Sequence, residues 1–195
     1  MTNLEAAASA IDDGDLVVYP TETVYGLGAD ALDPRAVERV FAAKGRDRTD
    51  PISLAVPDVE TALAYVTVTG RERRFMDRFL PGPVTVVCER REPVPDALTA
   101  GLDRVGIRIP DHDLALALLD RVAPVTATSA NVSGRPSVTR IADLDSDIRE
   151  AADVVLDGGK TGGTASTVVD VERGEIHRRG AIADELEAWL DPDSA

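Results

Sequence analysis

The sequence has a single cysteine, Cys88, so it can close no internal disulfide and offers no CxxC pair. Its two histidines, His112 and His177, lie outside the hydroxyl-rich stretches, and His112 reads as surface. That removes a Ser/His/Asp arrangement and an HExxH spacing, and with them a protein-held zinc site. Long apolar runs are missing too, and none approaches the roughly 20 residues that span a bilayer. The first fifteen residues, MTNLEAAASAIDDGD, carry acids where a secretory leader carries bases. A soluble, cytoplasmic protein with no membrane partner is expected. Aromatics supply 4% of a chain that is 44% apolar, which leaves Ala, Val and Leu to fill the core. Cys88 sits in the apolar run 84–88, the setting of a buried thiol and not of a nucleophile.

Positive charge is the other scarcity. The formal net charge is −14, and the acids are spread along the chain. General affinity for nucleic acid needs basic surface to neutralise phosphates, so it is not expected here. A solvated surface adapted to high salt is. Of 21 basic residues only Lys44 and Lys160 are lysines, which draws attention to both positions.

What the chain does have is hydroxyl-rich loops directly after short apolar runs. Residues 16–31, LVVYPTETVYGLGADA, begin as a strand over 16–19, break at Pro20, and continue through Thr21, Glu22, Thr23 and Tyr25. Gly26 and Gly28 then permit positive φ or the close approach of a ligand. A second cluster, Ser129, Asn131, Ser133 and Ser137 interleaved with Gly134 and Pro136, follows a strand over 124–128. One such loop is an ordinary turn. Two at strand ends point to a ligand site, because open α/β sheets bind ligands there.

The remaining pattern predicts one α/β domain. Helices are expected over 4–12, capped by Asn3, and over 34–44, with Asp33 as cap, Pro34 first and Gly45 as the stop. Others are expected over 58–66, over 71–80 with its arginines on a solvated side, over 111–122 with Leu114, Ala117 and Leu118 inward, and over 145–152. A last helix over 182–190 carries Leu186, Trp189 and Leu190 on one face, before an acidic tail. Strands are expected over 52–56, 84–88, 105–109 and 154–156, with an irregular segment over 89–103 and a hairpin of 166–171 with 175–178. Arg108 is a charge inside an apolar run, either at an edge or aimed into a site. GGKTGG at 158–163 lacks the Walker spacing, and a P-loop is set aside.

Lys44, Arg46, Arg108 and Arg178, with the hydroxyls and amides, fall at the ends of elements. Such a set suits an anionic substrate, above all a nucleoside triphosphate, whose transfer needs charge neutralisation and alignment more than a protein nucleophile. Magnesium would arrive with the phosphates, since it prefers their oxygens and water to an all-protein cage.

YPTETVYGLGADA, KGR before a proline and an apolar strand, PGPVT, VGIRIPDH, SANVSGRPS, ASTVVD and RRGAI, in that order, make the chain resemble the YrdC-like family of L-threonylcarbamoyladenylate synthases. The resemblance covers about 16–182 and implies a twisted, open mixed sheet flanked by helices around a concave cavity. It implies one domain of the short form, without the C-terminal domain of the long form. It also implies formation of threonylcarbamoyl-AMP and pyrophosphate from L-threonine, bicarbonate and ATP with Mg2+, as the first step of threonylcarbamoyladenosine modification of tRNA. A downstream tRNA threonylcarbamoyl transferase complex would use the product, and stable tRNA binding by this chain is not implied.

By the same resemblance the paired signature falls on Lys44, Arg46, Ser129 and Asn131 as catalytic residues. ATP would meet these four and Asp50, Arg104, Ser137 and Arg178, while threonine would meet Thr23, Arg108, Ala127 and Ser166. Three positions depart from the family pattern: Asp50 stands where many relatives have Asn, Ala55 where many have His, and Arg179 where Pro is common. Two other readings compete. A carbamoyl-adenylate enzyme of hydrogenase maturation normally carries acylphosphatase and zinc-finger domains, for which this chain has neither cysteine pairs nor room. A non-catalytic RNA-binding module would need basic surface that the net charge of −14 opposes.

Overall fold

The structure, a computed structural model, describes residues 3–191. The end of the acidic tail, 192–195, lies outside the described residues. In chain order the first half comprises α1 (Asn3–Asp12), β1 (Val17–Tyr19), β2 (Gly26–Gly28), α2 (Pro34–Lys44), β3 (Ser53–Ala55), α3 (Val59–Ala62), β4 (Val66–Thr67) and α4 (Gly70–Phe79). The second half comprises β5 (Val84–Arg90), α5 (Asp96–Thr99), β6 (Arg104–Arg108), α6 (Asp113–Val122), β7 (Val125–Ser129), α7 (Ser146–Ala151), β8 (Val154–Val155), β9 (Thr167–Asp170), β10 (Glu175–Arg178) and α8 (Ala183–Leu190).

The strands form one open sheet in the order β10-β9-β5-β6-β3-β7-β2-β1-β8, with β4 joined to the far end of β5. It is mixed, as expected: β1/β8, β3/β6 and β5/β9 are parallel, and the other pairs run antiparallel. Successive side chains of a strand point to opposite faces, and that alternation sets the whole architecture. Leu54, Val86, Ile107 and Val169 face a large core built with Val37, Val40 and Phe41 of α2, Phe75 and Met76 of α4, and Leu186 of α8. On the other face α1 and α6 cover the β1 side and reach the end of β3, packing Ala7, Ile11, Leu118 and Leu119 on Val17, Tyr19, Val125 and Ala55. The rest of that face, over β3, β6, β5 and β9, stays concave and open.

Local signals explain most elements. Asp33 accepts from Arg35 N, Pro34 opens α2, and Gly45 closes it at φ 55°. Thr69 and Glu72 form a reciprocal capping box on α4. Cys88 is fully buried, and desolvation pushes its thiol pKa well up. No helix among the described residues is long and apolar enough to cross a membrane.

Several expectations need correction. Asn3 is the first helical residue of α1 and not its cap. The helix expected over 58–66 closes after one turn at Ala62, and Val66 pairs with Arg90 as a strand. The irregular 89–103 segment contains the end of β5 and the short α5. In α6 the inward residues are Ala115, Leu118 and Leu119, because Leu and Ala occur on every side and the pattern cannot fix the phase. The arginines of α4 are not all solvated: Arg71 donates to Val171 O at 3.0 Å and Leu190 O at 2.9 Å and lies over the Trp189 ring.

Gly26 and Gly28 are strand residues, not turn residues. A Cβ at Gly26 would stand 2.9 Å from the Tyr19 ring, and one at Gly28 would stand 2.7 Å from Val125 and 3.0 Å from Tyr19. The close approach they permit is therefore that of a buried tyrosine from the paired strand β1.

The acidic surface carries a stability consequence. Mutual repulsion acts over a Debye length of about 30 Å at 0.01 M salt and about 10 Å at 0.1 M. Exposed pairs such as Arg73 with Glu60 and Asp77 weaken in salt, but each contributes little. With a net charge of −14 the repulsion dominates, so Tm should rise from dilute buffer to molar KCl. A Tm that does not change in thermal melts across that range overturns the high-salt reading.

Candidate active site

The open part of the sheet face forms a cavity of about 520 Å³, within the range of small-molecule sites. The residues that alternate with the core supply its floor: Ser53, Thr85, Gly106, Arg108 and Val168. The two hydroxyl-rich loops form its rim, with Thr21 and Thr23 after β1, Ser129 at the end of β7 and Ser137 beyond it. The convergence read from the sequence is thus present in space.

The first loop is locked internally. The Thr21 hydroxyl donates to Val24 O at 2.6 Å and accepts from Val24 N at 3.2 Å, and it lies 2.9 Å from the Thr23 hydroxyl. The 157–163 glycine-rich segment straps this loop to the second. Gly162 N donates to Glu22 O and Gly163 N to Thr23 O, while Thr161 N donates to Thr139 O. A Cβ at Gly162 would meet Glu22 O at 2.6 Å, which explains the glycine at that crossing. Lys160 is exposed on this segment and does not line the cavity.

Of the sequence-selected residues, Thr23, Arg46, Arg104, Arg108, Ala127, Ser129, Ser137, Ser166 and Arg178 line the cavity. Lys44, Asp50 and Asn131 do not. Lys44 ends α2 fully buried and donates to Asn131 O at 2.7 Å and to Ser129 O. Its own carbonyl accepts from Ser133 N. Lys44 therefore holds the 129–133 turn from behind. Burial first, and the Arg46 charge second, lower its pKa to about 8. The amide nitrogen of Asn131 donates to Val132 O at 2.9 Å and Arg135 O at 2.8 Å, so it too shapes the turn. Asp50 has an exposed side chain and contributes its backbone carbonyl to Arg46 Nε at 3.0 Å.

The cations of the cavity divide by partner. Arg104 lies 2.9 Å from Asp170, which is fully buried, and donates to Val87 O at 2.8 Å. Arg108, on the interior strand β6, donates to Val84 O at 3.2 Å and to Glu22 Oε1 at 2.6 Å. It is the residue aimed into a site and not the edge position. Arg46 and Arg178 have no carboxylate partner among the described residues. Arg46 donates to Asp50 O and Pro51 O, and Arg178 donates to Ser166 O at 3.1 Å and Ser166 Oγ at 3.0 Å. Desolvation first, then the charges of Arg108 and Arg46, lower the Arg178 pKa. A chain of net charge −14 thus presents a cationic cavity, and unpaired guanidinium groups there suit an oxygen-rich anion.

Sequence reasoning missed Glu22 as the partner of Arg108, and it missed Thr85, Asp170, Arg173 and His177 as cavity residues. Thr85 follows from alternation in β5 once the core face is known; the others follow only from strand order. Among the described residues no group of three or more His, Cys, Asp or Glu is placed to hold a metal.

The Sua5_yciO_yrdC family model, described as Telomere recombination, matches residues 9–180. The chain is 42% identical over 171 residues to a threonylcarbamoyl-AMP synthase of Pyrococcus abyssi, covering 86% of this chain and 50% of that one. It is 34% identical over 174 residues to a putative threonylcarbamoyl-AMP synthase of Methanocaldococcus jannaschii, covering 89% of this chain and 82% of the relative. Among solved structures, P. abyssi Sua5 complexed with L-threonine superposes with a TM-score of 0.85 at 40% identity, over 91% of this chain and 54% of that chain. The chain thus spans about half the length of the Pyrococcus proteins it matches.

Proposed function

The chain belongs to the Sua5/YciO/YrdC family, and from that premise we propose that it is a nucleotidyltransferase making threonylcarbamoyl-AMP and pyrophosphate from L-threonine, bicarbonate and ATP. The observation that carries this reading is the division of charge in one cavity. Arg46 and Arg178, without carboxylate partners among the described residues, line the cavity with Ser129 and Ser137, and Arg108 lies on its floor beside Thr85, whose hydroxyl meets that of Ser166, the partner of Arg178.

In this reading Arg108 takes the amino-acid carboxylate, and Thr23, Ala127 and Ser166 wall the same end. Arg46, Arg178, Ser129 and Ser137 take the triphosphate. Magnesium comes bound to the phosphates, whose oxygens and waters it prefers, and neutralises them further. The threonine amine forms a bond from its lone pair to the carbon of carbon dioxide, in equilibrium with bicarbonate, and its proton passes to water. A carbamate oxygen then attacks the α-phosphorus, the bond to the β-phosphate oxygen breaks, and pyrophosphate leaves with the electron pair. The protein's part is alignment and charge stabilisation. The product feeds a tRNA threonylcarbamoyl transferase, and the acidic outer surface leaves tRNA itself weakly held.

The test is pyrophosphate release from ATP and magnesium, which should require both threonine and bicarbonate and should need no tRNA. Release independent of threonine, or tight salt-sensitive tRNA binding without adenylate formation, overturns the proposal.

A further inference from the structure

Glu22 does not itself line the cavity, but it is the carboxylate paired with Arg108 of the cavity floor. Its Oε1 accepts from Arg108 Nη2 at 2.6 Å, while its Oε2 is fully buried with no hydrogen-bond partner among the described residues. Its side chain is 19% exposed and that of Arg108 7%, so little water screens the pair. The backbone carbonyl of Glu22 is fixed by Gly162 N, so the residue is held in place at both ends. An unsatisfied buried carboxylate oxygen is costly unless a donor arrives.

We propose that Glu22 makes the Arg108 end of the cavity select an α-amino acid over the same acid without its amino group. This rests on the reading that Arg108 receives the substrate carboxylate. Arg108 and Glu22 together are neutral, so a bare carboxylate bound there leaves a surplus negative charge in a poorly hydrated place. A zwitterion brings its own cation one carbon from its carboxylate, and a turn of the Glu22 carboxyl group presents Oε2 to that ammonium. Arg46 and Arg178 offset the surplus only while the triphosphate is absent; with it bound, Glu22 decides. Glu22 is thus a specificity residue that also fixes the orientation of the amine.

The test is calorimetric binding of L-threonine and of 3-hydroxybutanoate, its counterpart without the amino group, to the full chain in the presence of a non-hydrolysable ATP analogue. The wild type should prefer threonine, and Glu22→Gln should shrink that preference by about 10- to 100-fold, the scale of one charge-assisted hydrogen bond. Glu22→Asp keeps the charge with a shorter reach, so it should weaken threonine binding yet retain the preference, and it serves if Glu22→Gln fails to fold. Equal weakening of both ligands in Glu22→Gln, with the ratio unchanged, overturns the inference and leaves the functional reading standing. No threonine binding by the wild type overturns both.

Discussion

Lys44→Ala should destabilise the fold by about 2 to 5 kcal/mol, measured by denaturant unfolding. Two terms add. The side chain is fully buried, so truncation removes packed methylenes as a core deletion does. It also strips the Asn131 carbonyl of the Lys44 donor, and an orphaned buried group costs about 1 to 3 kcal/mol, whereas Ser129 O loses one of two donors and keeps Asn131 N at 3.0 Å. Lys44 at the helix end is thus more than a favourable charge on a dipole, which would contribute only about 0.3 to 1 kcal/mol. Catalysis should suffer through the displaced 129–133 turn. A variant of unchanged stability and lost turnover would instead make Lys44 a direct ligand of the phosphates.

The same residue gives stability a pH dependence of known sign. Burial lowers its pKa from 10.5 to about 8. Between those values the folded chain binds fewer protons than the unfolded chain, so stability rises with pH across the window. The neutral amine still has two N–H groups for its two carbonyls, so losing the third proton relieves desolvation without breaking the contacts. In the unfolded chain the tyrosines and Cys88 titrate in the same range, while burial raises them in the folded chain, and subtracting a Lys44→Met variant isolates the lysine. The wild type should gain on that variant between pH 8 and 10.5, by up to about 3 kcal/mol. A flat difference would mean that Lys44 is not desolvated.

These results bear on how far the sequence could be read. The two hydroxyl-rich loops, the α2 caps and Arg108 were legible because each depends on local chemistry or on a charge out of place in an apolar run. The burial of Lys44 was legible in principle, since it follows Val40 by four positions and Phe41 by three and so falls on the same helical face. Its position before a C-capping glycine offered a simpler explanation that concealed the periodicity. Strand β2 was not legible, because Gly-Leu-Gly has no strand propensity and exists as a strand only through the Tyr19 ring and Val125 packed against its glycines. The Glu22–Arg108 and Asp170–Arg104 pairs join residues 86 and 66 positions apart. Only the order β9-β5-β6-β3-β7-β2-β1 brings such partners together, and no local pattern encodes it.

Arg178→Ala should carry the clearest kinetic loss, a fall in kcat/KM of about 10- to 100-fold with the melting transition unmoved. Arg178 has no carboxylate partner among the described residues, and desolvation first, then the charges of Arg108 and Arg46, lower its pKa. A triphosphate would therefore meet a guanidinium that no acid has already neutralised. A charge-assisted hydrogen bond contributes about 1.5 to 3 kcal/mol, and it falls wholly on kcat if it strengthens as charge develops on the departing pyrophosphate. Arg46→Ala should show a loss of similar size, since among the described residues the Arg46 guanidinium donates to the carbonyls of Asp50 and Pro51 and to no carboxylate. Arg178→Lys should recover part of the activity, because it keeps the charge but cannot span Ser166 O and Ser166 Oγ at once. Asp50→Ala should leave kcat/KM unchanged, because that side chain is exposed and outside the cavity. Pyrophosphate release measured for the four variants beside their thermal melts decides the matter. Wild-type turnover in Arg46→Ala and Arg178→Ala, or a loss in Asp50→Ala as large as theirs, would move the phosphate site away from the two unpaired guanidinium groups.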